Sequence, residues 1–427
     1  MVVSSAPTLH RELSAALPGP AWLRHRREVA AGRLDGLSLP TTDEEVWRYS
    51  RIGELDLDRF TLAAGADGVS DALRAVLRGL PTHAGGVVVA DGAVVHRHLD
   101  PDVAARGVTI GNASEIDEAE GWLAGADEAE PVDVFTTLND AFVRDPVVID
   151  VPAGVVIEDP LVVVHWVGAD GVAVFDRTIV RVGEGAQMTL LEMEASSEVT
   201  SFTVPLLDAT VADGARLSYL SVQELGPAVW RIANRAFSVG SDASLVAAEA
   251  SLGGDYSRTR TDCRLLGRNA HGELLAAYLG AGEQMLDFRT FQHHEAPDTT
   301  SDLLFKGAVG GHSRSVYTGL IRVHPEARGT KAFQTNRNIK LSEGAWAESV
   351  PNLEIETNDV RCSHASAVGP VDADQRFYLE SRGVPPAIAD RLIVAGFFEE
   401  VLARFPVPAT AADVRSALVT RIEEVGA

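Results

Sequence analysis

Gly183-Glu184-Gly185-Ala186 stands before the strand-like run Met188-Thr189-Leu190-Leu191-Glu192, and the same signal returns three times further along the chain. Ala212-Asp213-Gly214-Ala215 precedes Leu217 to Val222. Gly240-Ser241-Asp242-Ala243 precedes Leu245-Val246-Ala247, and Gly267-Arg268-Asn269-Ala270 precedes Glu273 to Ala276. The closing alanines Ala186, Ala215, Ala243 and Ala270 are separated by 29, 28 and 27 residues. A constant period of this size marks a stacked-repeat architecture. With strands as the unit, each coil leaves backbone N–H and C=O groups open above and below, and the next coil satisfies them. Small residues at one point of every coil let the chain turn where a bulky side chain would clash. A β-sandwich would place its turns about every 8–12 residues, which is not the spacing here.

Around this core the patterning changes. The middle of the chain, 151–365, is rich in β-branched residues and reads as a parallel β-helix core. The first part, 1–150, mixes helical and extended patterns. Arg11 to Ala16 and Trp22 to Ala31 have helical spacing, with Pro20 opening the second stretch. Trp47 and Tyr49 read as core anchors. Gly85 to Ala90, Asp91-Gly92 and Ala93-Val94-Val95 read as a hairpin, and the acidic stretch from Glu115 to Glu130 as a solvated helix with its loop. The last part, 366–427, reads as three helices. Asp372 caps Ala373 to Ser381 and Gly383 ends it. Pro385 and Pro386 open a second helix with an apolar face of Leu392, Ile393, Phe397, Val401 and Leu402. Thr410 is placed as the cap of a third, carrying Val414, Leu418 and Ile422. These faces must be covered by the same chain or by another subunit.

Composition narrows the function classes. The 427 residues hold 37 Lys+Arg against 61 Asp+Glu, a formal charge of −24, which repels phosphate backbones and anionic lipid. Neither nucleic-acid nor membrane binding is expected. No apolar run is long enough to span a bilayer, and no signal peptide is recognisable at the N-terminus. Cys263 and Cys362 are the only cysteines, too few for a disulfide scaffold or a four-cysteine cage. The reading is a reduced, soluble, cytoplasmic chain. It carries no phosphate-cradling Gly-x-x-x-x-Gly-Lys-Ser/Thr, hence no ATP site, and neither a dinucleotide fingerprint nor a nucleophile elbow.

Two short stretches carry candidate chemistry. In Asp359-Val360-Arg361-Cys362-Ser363-His364, alternation along a strand puts Cys362 and His364 on one face, a thiol and an imidazole suited to zinc or iron–sulfur chemistry. Two ligands do not complete a tetrahedral site, so others must come from elsewhere in the chain, another subunit or a small thiol. Gln292-His293-His294-Glu295, with Asp287 upstream, lacks the helical His-Glu-x-x-His geometry and fits a structural role between coils at least as well.

From Phe291 to about Val401 the chain resembles the SufB/SufD family, scaffold components of the SUF iron–sulfur cluster assembly machinery. The resemblance rests on His294-Glu295-Ala296-Pro297-Asp298-Thr299-Thr300-Ser301, Phe305-Lys306-Gly307, Val316 to Val323 and Gln334-Thr335-Asn336-Arg337-Asn338. It continues through Pro351-Asn352-Leu353-Glu354-Ile355, Asp359 to Ala365 and Phe377 to Gly383. Upstream, Pro40-Thr41-Thr42 with Glu45, Trp47, Arg48 and Tyr49, and Leu138-Asn139-Asp140-Ala141-Phe142, resemble two further family signatures.

The resemblance implies a mainly β protein, a right-handed parallel β-helix (β-solenoid) between N-terminal α/β-helical and C-terminal helical parts. It also implies a non-catalytic scaffold. Length and Cys362-Ser363-His364-Ala365 are most similar to SufD-like members, and Phe333 to Leu341 lacks the cysteine that SufB-like members carry; a SufB-like paralogue is the alternative. By the same resemblance the partners are a SufB-like paralogue, paired through the β-helix, and a SufC-like ABC-type ATPase on the C-terminal helices. A transient iron–sulfur cluster would be shared with the SufB-like partner, with His364 as metal ligand and Cys362 as the second candidate. Asp298 stands where family members often have histidine, so no ligand role is carried over to it. Outside the family, a carbohydrate-active β-helix enzyme and a polymerising solenoid are the competing readings.

Overall fold

The computed structural model describes residues 9–34, 36–122 and 132–425. Stacked parallel coils form a β-solenoid of about 8 turns, preceded and followed by helices. Each coil contributes one strand to each of two sheets. One sheet runs from Thr109–Asn112 and Val147–Val151 through Arg177–Val182, Leu206–Val211, Val229–Val239, Tyr256–Leu265, Met285–His294 and Arg314–Val323 to Trp346–Ile355. The other runs from the hairpin Gly85–Ala90/Ala93–Leu99 through Leu161–Val167, Gln187–Ser196, Arg216–Glu224, Ser244–Ser251, His271–Gly280, Thr300–Val309 and Thr330–Lys340 to Val360–Pro370. Apart from antiparallel pairs at the N-terminal end, neighbours are parallel and in register over as many as eleven residues.

The repeat signal is the corner between these sheets. Ala186, Ala215, Ala243 and Ala270 are all buried at the start of a coil's second strand. The residue before each takes a positive φ: Gly185 at 65°, Gly214 at 67°, Asp242 at 55° and Asn269 at 59°. Glycine, asparagine and aspartate are the residue types that accept this conformation. Each corner residue donates its N–H to a carbonyl of the following coil: Gly185 to Asp213, Gly214 to Ser241, Asp242 to Arg268 and Asn269 to Pro297. The line extends beyond the four repeats read from sequence, to Gly154, Asp298 and Gly329, which make the same donation to Glu184, Arg328 and Asp359.

Three apolar cores follow from this geometry. The lumen holds Leu190, Tyr219, Leu274, Phe288, Leu303 and Tyr317 among others. The N-terminal segments cover one sheet's outer face with Trp47, Phe60, Phe135 and Phe142, against Phe202, Trp230, Tyr256 and Val316. The C-terminal helices cover the other, where Val394, Phe398, Val401, Leu402, Val414, Leu418 and Ile422 meet Leu220, Leu275 and Leu304. Most of the apolar helical surface therefore buries within its own chain. Lys306 reinforces the contact: its ammonium donates to the Phe397 carbonyl at 2.8 Å, lies over the Phe397 ring and pairs with Glu400.

The sequence expectations need correction in places. Trp47 is buried, with the Arg258 guanidinium 3.8 Å from its ring centroid, but Tyr49 is exposed, has φ 80° and is no core anchor. The third C-terminal helix is Pro408–Val425, so Thr410 lies inside its first turn and its buried hydroxyl has no partner. A proline at the first helical position opens the helix instead. The second, Pro386–Leu402, buries Val401 and Leu402 as read, but in its earlier turns it buries Val394 and Phe398, one residue on from Ile393 and Phe397, and leaves Leu392 outside. Much of the acidic stretch from Glu115 to Glu130 falls outside the described residues.

Candidate functional site at the open end of the solenoid

The strand Val360–Pro370 is the last rung. It pairs with Thr330–Lys340 on one side and has no strand on the other among the described residues. Register fixes which side chains point inward. Cys362 aligns with Ala332, His364 with Gln334, Ser366 with Asn336 and Val368 with Asn338. All four residues of the inner rung are buried, whereas Lys331, Phe333 and Arg337 between them are exposed. Period-2 alternation therefore puts Cys362 and His364 on one face, as the sequence spacing required, and the register makes that face the lumen side of the last rung.

The two candidates differ in surroundings. Cys362 is half-buried and packs on the apolar group Ile321, Val323, Ala327 and Ala332. Burial pushes its thiol up, against the opposing effect of a hydrogen bond with the Ala332 backbone, so the protonated form is favoured. His364 is exposed. Among the described residues no group of three or more His, Cys, Asp or Glu side chains is placed to hold a metal ion.

Just beneath this rung the lumen is floored by a network of amides and hydroxyls. Asn336 Nδ2 donates to the Tyr278 hydroxyl at 3.0 Å, and that hydroxyl donates to Asn338 Oδ1 at 2.8 Å. Asn338 Nδ2 donates to Asn336 Oδ1 at 2.9 Å, and Ser315 reaches Asn338 Oδ1 at 3.2 Å. Sequence reasoning missed this floor, although the alternating amides of Gln334-Thr335-Asn336-Arg337-Asn338 were its signal.

The other candidate stretch is structural. His294 is fully buried, its Nδ1 2.8 Å from Thr299 Oγ1 and its Nε2 2.9 Å from Ser301 Oγ. Burial, with the charge of His293, pulls its pKa down to about 3, and neither ring nitrogen is free for a metal. Asp287 is buried between Arg258 at 2.6 Å and Arg289 at 2.9 Å. Asp298 occupies a corner and pairs with Arg268 at 2.7 Å. Cys263 is buried and its thiol is pushed up to about 12 by desolvation.

A second feature lies where the C-terminal helices leave the solenoid. A cleft of about 990 Å³ opens between Ile339, Ala367 and Pro370 on the last rungs and Tyr378, Leu392 and Phe397 on the helices. Phe377 and Tyr378 beside it are 72% and 58% exposed. Among the described residues no helix is long and apolar enough to cross a membrane.

Comparison with known proteins agrees with these features. The SUF system FeS cluster assembly SufBD core domain matches residues 165–397, more than half of the chain. An iron–sulfur cluster assembly SufBD family protein of Mycobacterium tuberculosis is 30% identical over 425 residues, 96% of this chain and 95% of that protein. Escherichia coli SufD is 29% identical over 373 residues, covering 85% and 84% of the two chains. Bacillus subtilis SufD is 24% identical over 416 residues, covering 95% and 94%. With its stacked parallel coils, flanking helices and full-length relatives, the chain belongs to the SufBD family of SUF iron–sulfur cluster assembly proteins.

Proposed function

We propose that this chain is the SufD-like, non-catalytic scaffold subunit of a cytoplasmic SufBCD-type complex. The supporting observation is the placement of His364 on the lumen side of an uncovered terminal rung, with no further ligand set converging among the described residues. A cluster held there takes its remaining ligands from a second chain, and the open strand edge offers that chain eleven residues of backbone. In this reading a SufB-like paralogue pairs along the end of the solenoid and a nascent iron–sulfur cluster is the shared cargo. His364 supplies an imidazole lone pair; Cys362 contributes only once its thiol loses the proton that its apolar surroundings retain. A SufC-like ATPase docks on the C-terminal helices, and this chain itself handles no nucleotide. The parts 1–150, 151–365 and 366–427 then serve as brace, scaffold and docking element. A SufB-like assignment is less well supported, because Thr330–Lys340 contains no cysteine.

The test is co-expression with SufB-like and SufC-like partners, anaerobic reconstitution, and assay of iron and acid-labile sulfide. The complex acquires a cluster, the isolated chain retains little iron, and a His364→Ala complex loses most of its loading. Equal loading by wild-type and His364→Ala complexes would remove His364 from the ligand set.

A further inference from the structure

One lumen column runs the length of the solenoid in strict register: Leu190, Tyr219, Ala247, Leu274, Leu303, Gln334, His364. Five coils of this column belong to the lumen core. The sixth places an amide there, and the seventh an imidazole. Gln334 is 1% exposed, and neither its Oε1 nor its Nε2 has a hydrogen-bond partner among the described residues. A buried amide left in this state is destabilising, so its neighbours decide what it serves. Below it is Leu303, which offers nothing. Across the lumen a Cβ on residue 319 would stand 2.5 Å from Gln334 Nε2, so Gly319 is what leaves room for the amide. The nearby Tyr317 hydroxyl is already bonded to Thr290 at 3.0 Å. Above it, one strand spacing away at about 4.8 Å, is His364.

We infer that Gln334 is a positioning residue for His364: its carbonyl accepts the N–H of one imidazole nitrogen and leaves the other nitrogen's lone pair free toward the metal. Ligating histidines commonly hold their second nitrogen this way, which fixes both ring orientation and tautomer. The exposed ring only has to lie along the lumen for the contact to form. The same contact satisfies the amide and withholds the ring from solvent-averaged rotamers. The inference takes His364 as a ligand from the reading above, but the hydrogen bond is testable without any cluster.

The experiment uses the full chain labelled with 15N-histidine. His364 resonances are assigned by their loss in His364→Ala, and the ring 15N shifts report the tautomer. Gln334→Leu removes the acceptor; Gln334→Glu keeps one. The expected result is a single dominant tautomer in wild type and Gln334→Glu, and a shift toward the mixture of a free imidazole in Gln334→Leu. In the co-expressed complex, Gln334→Leu lowers cluster loading or retention by about 10-fold or more, as loss of such outer contacts does, and Gln334→Glu restores it. Identical 15N shifts in all three forms would overturn the inference, and if Gln334→Leu fails to fold, the same test is read from Gln334→Glu and Gln334→Ala. Loss of loading in His364→Ala with unchanged shifts in Gln334→Leu leaves the ligand standing and removes Gln334. Shifted resonances with normal loading in His364→Ala establish the hydrogen bond and remove the ligand.

Discussion

Replacement of His165 tests how the solenoid tolerates charge in its lumen. His165 is 4% exposed, with Nδ1 3.0 Å from Asp176 Oδ2 and Nε2 2.9 Å from Glu192 Oε1. Burial alone would lower its pKa. The hydrogen bond and charge of Asp176, then those of Glu192, outweigh burial and hold the imidazole well above 6.5. Glu192 is the reciprocal case: burial would raise it, but His165 first, with Arg235 and Tyr219, brings it down to about 2. Removing one partner of a buried pair costs about 3–5 kcal/mol, because the other charge is left without compensation. A chain of 427 residues has an unfolding entropy of about 0.9 kcal/mol/K, so His165→Gln lowers Tm by about 4 °C at neutral pH.

The pH dependence separates charge from packing. A histidine whose folded pKa is raised contributes its full stabilisation below about 6.5 and loses it as pH rises through the folded value. The Tm gap between wild type and His165→Gln is therefore widest below about pH 6.5 and narrows as pH rises through the folded value. On the acid side, the Glu192 contribution is present above about 4.5 and lost as pH falls toward 2. His165→Gln lets that carboxyl protonate earlier and moves acid unfolding to higher pH. Calorimetric scans across this range provide the assay. A gap below 1 °C at pH 6 would refute the assignment of a buried imidazolium.

Asn139 donates through Nδ2 to the carbonyls of Asp176 and Val204, both at 2.7 Å, tying the helix Val134–Phe142 to two coils. Asn139→Ala is expected to cost about 2–4 kcal/mol, read from the urea midpoint at unchanged m; a change under 1 kcal/mol contradicts the tie. Gly329 combines φ 77° with a site where a Cβ would stand 2.5 Å from Asp298 Oδ1, so Gly329→Ala lowers stability by about 1–2 kcal/mol or more, and an unchanged denaturation midpoint contradicts the corner reading. With Cys263 pushed up to about 12 and buried, a thiol reagent at neutral pH titrates one cysteine, Cys362, in the native chain and two after denaturation; two rapid native equivalents would show that the lumen opens. Lys306→Met removes the link to Phe397 and Glu400, and limited proteolysis is expected to release the C-terminal helices faster, with the solenoid left intact.

The repeat was legible because backbone conformation, not side-chain chemistry, repeats. Gly185, Gly214, Asp242 and Asn269 share a positive φ that few residue types accept, so the corners stand out in the sequence. The corners at Gly154, Asp298 and Gly329 have the same backbone but are followed by Val155, Thr299 and Thr330 instead of alanine, and a search for alanine passes over them. That Cys362 and His364 share a face also followed from alternation alone, whereas the side they take needed the register with buried Ala332 and Gln334. The buried pairs of Arg231 with Glu194 and Arg235 with Glu249 were not readable, since a strand sequence does not say which charges a lumen will close over. Nor was the burial of Val394 and Phe398 on Pro386–Leu402, whose Val401 and Leu402 were read, because a helix hydrophobic on several sides does not declare which side meets the sheet.

The open end explains why the candidate site lies at residues 360–370. A solenoid can stop growing only by covering its last rung, blunting it or handing it to another chain, since every exposed strand offers unpaired N–H and C=O groups. Val360–Pro370 is neither covered nor blunted: it is an eleven-residue strand with Arg361 as its one charged residue and proline only at its end. Beneath it, the column that ends at His364 changes from Leu303 to Gln334, beside Asn336 and Asn338. An apolar lumen ending in water would favour indiscriminate stacking of copies. A polar floor instead lowers the affinity of the end for an identical end, and favours a surface that brings hydrogen-bond partners of its own. Stacking specificity and the proposed ligand role of His364 would then have one physical origin, the replacement of Leu303 by Gln334 one coil further along the same column.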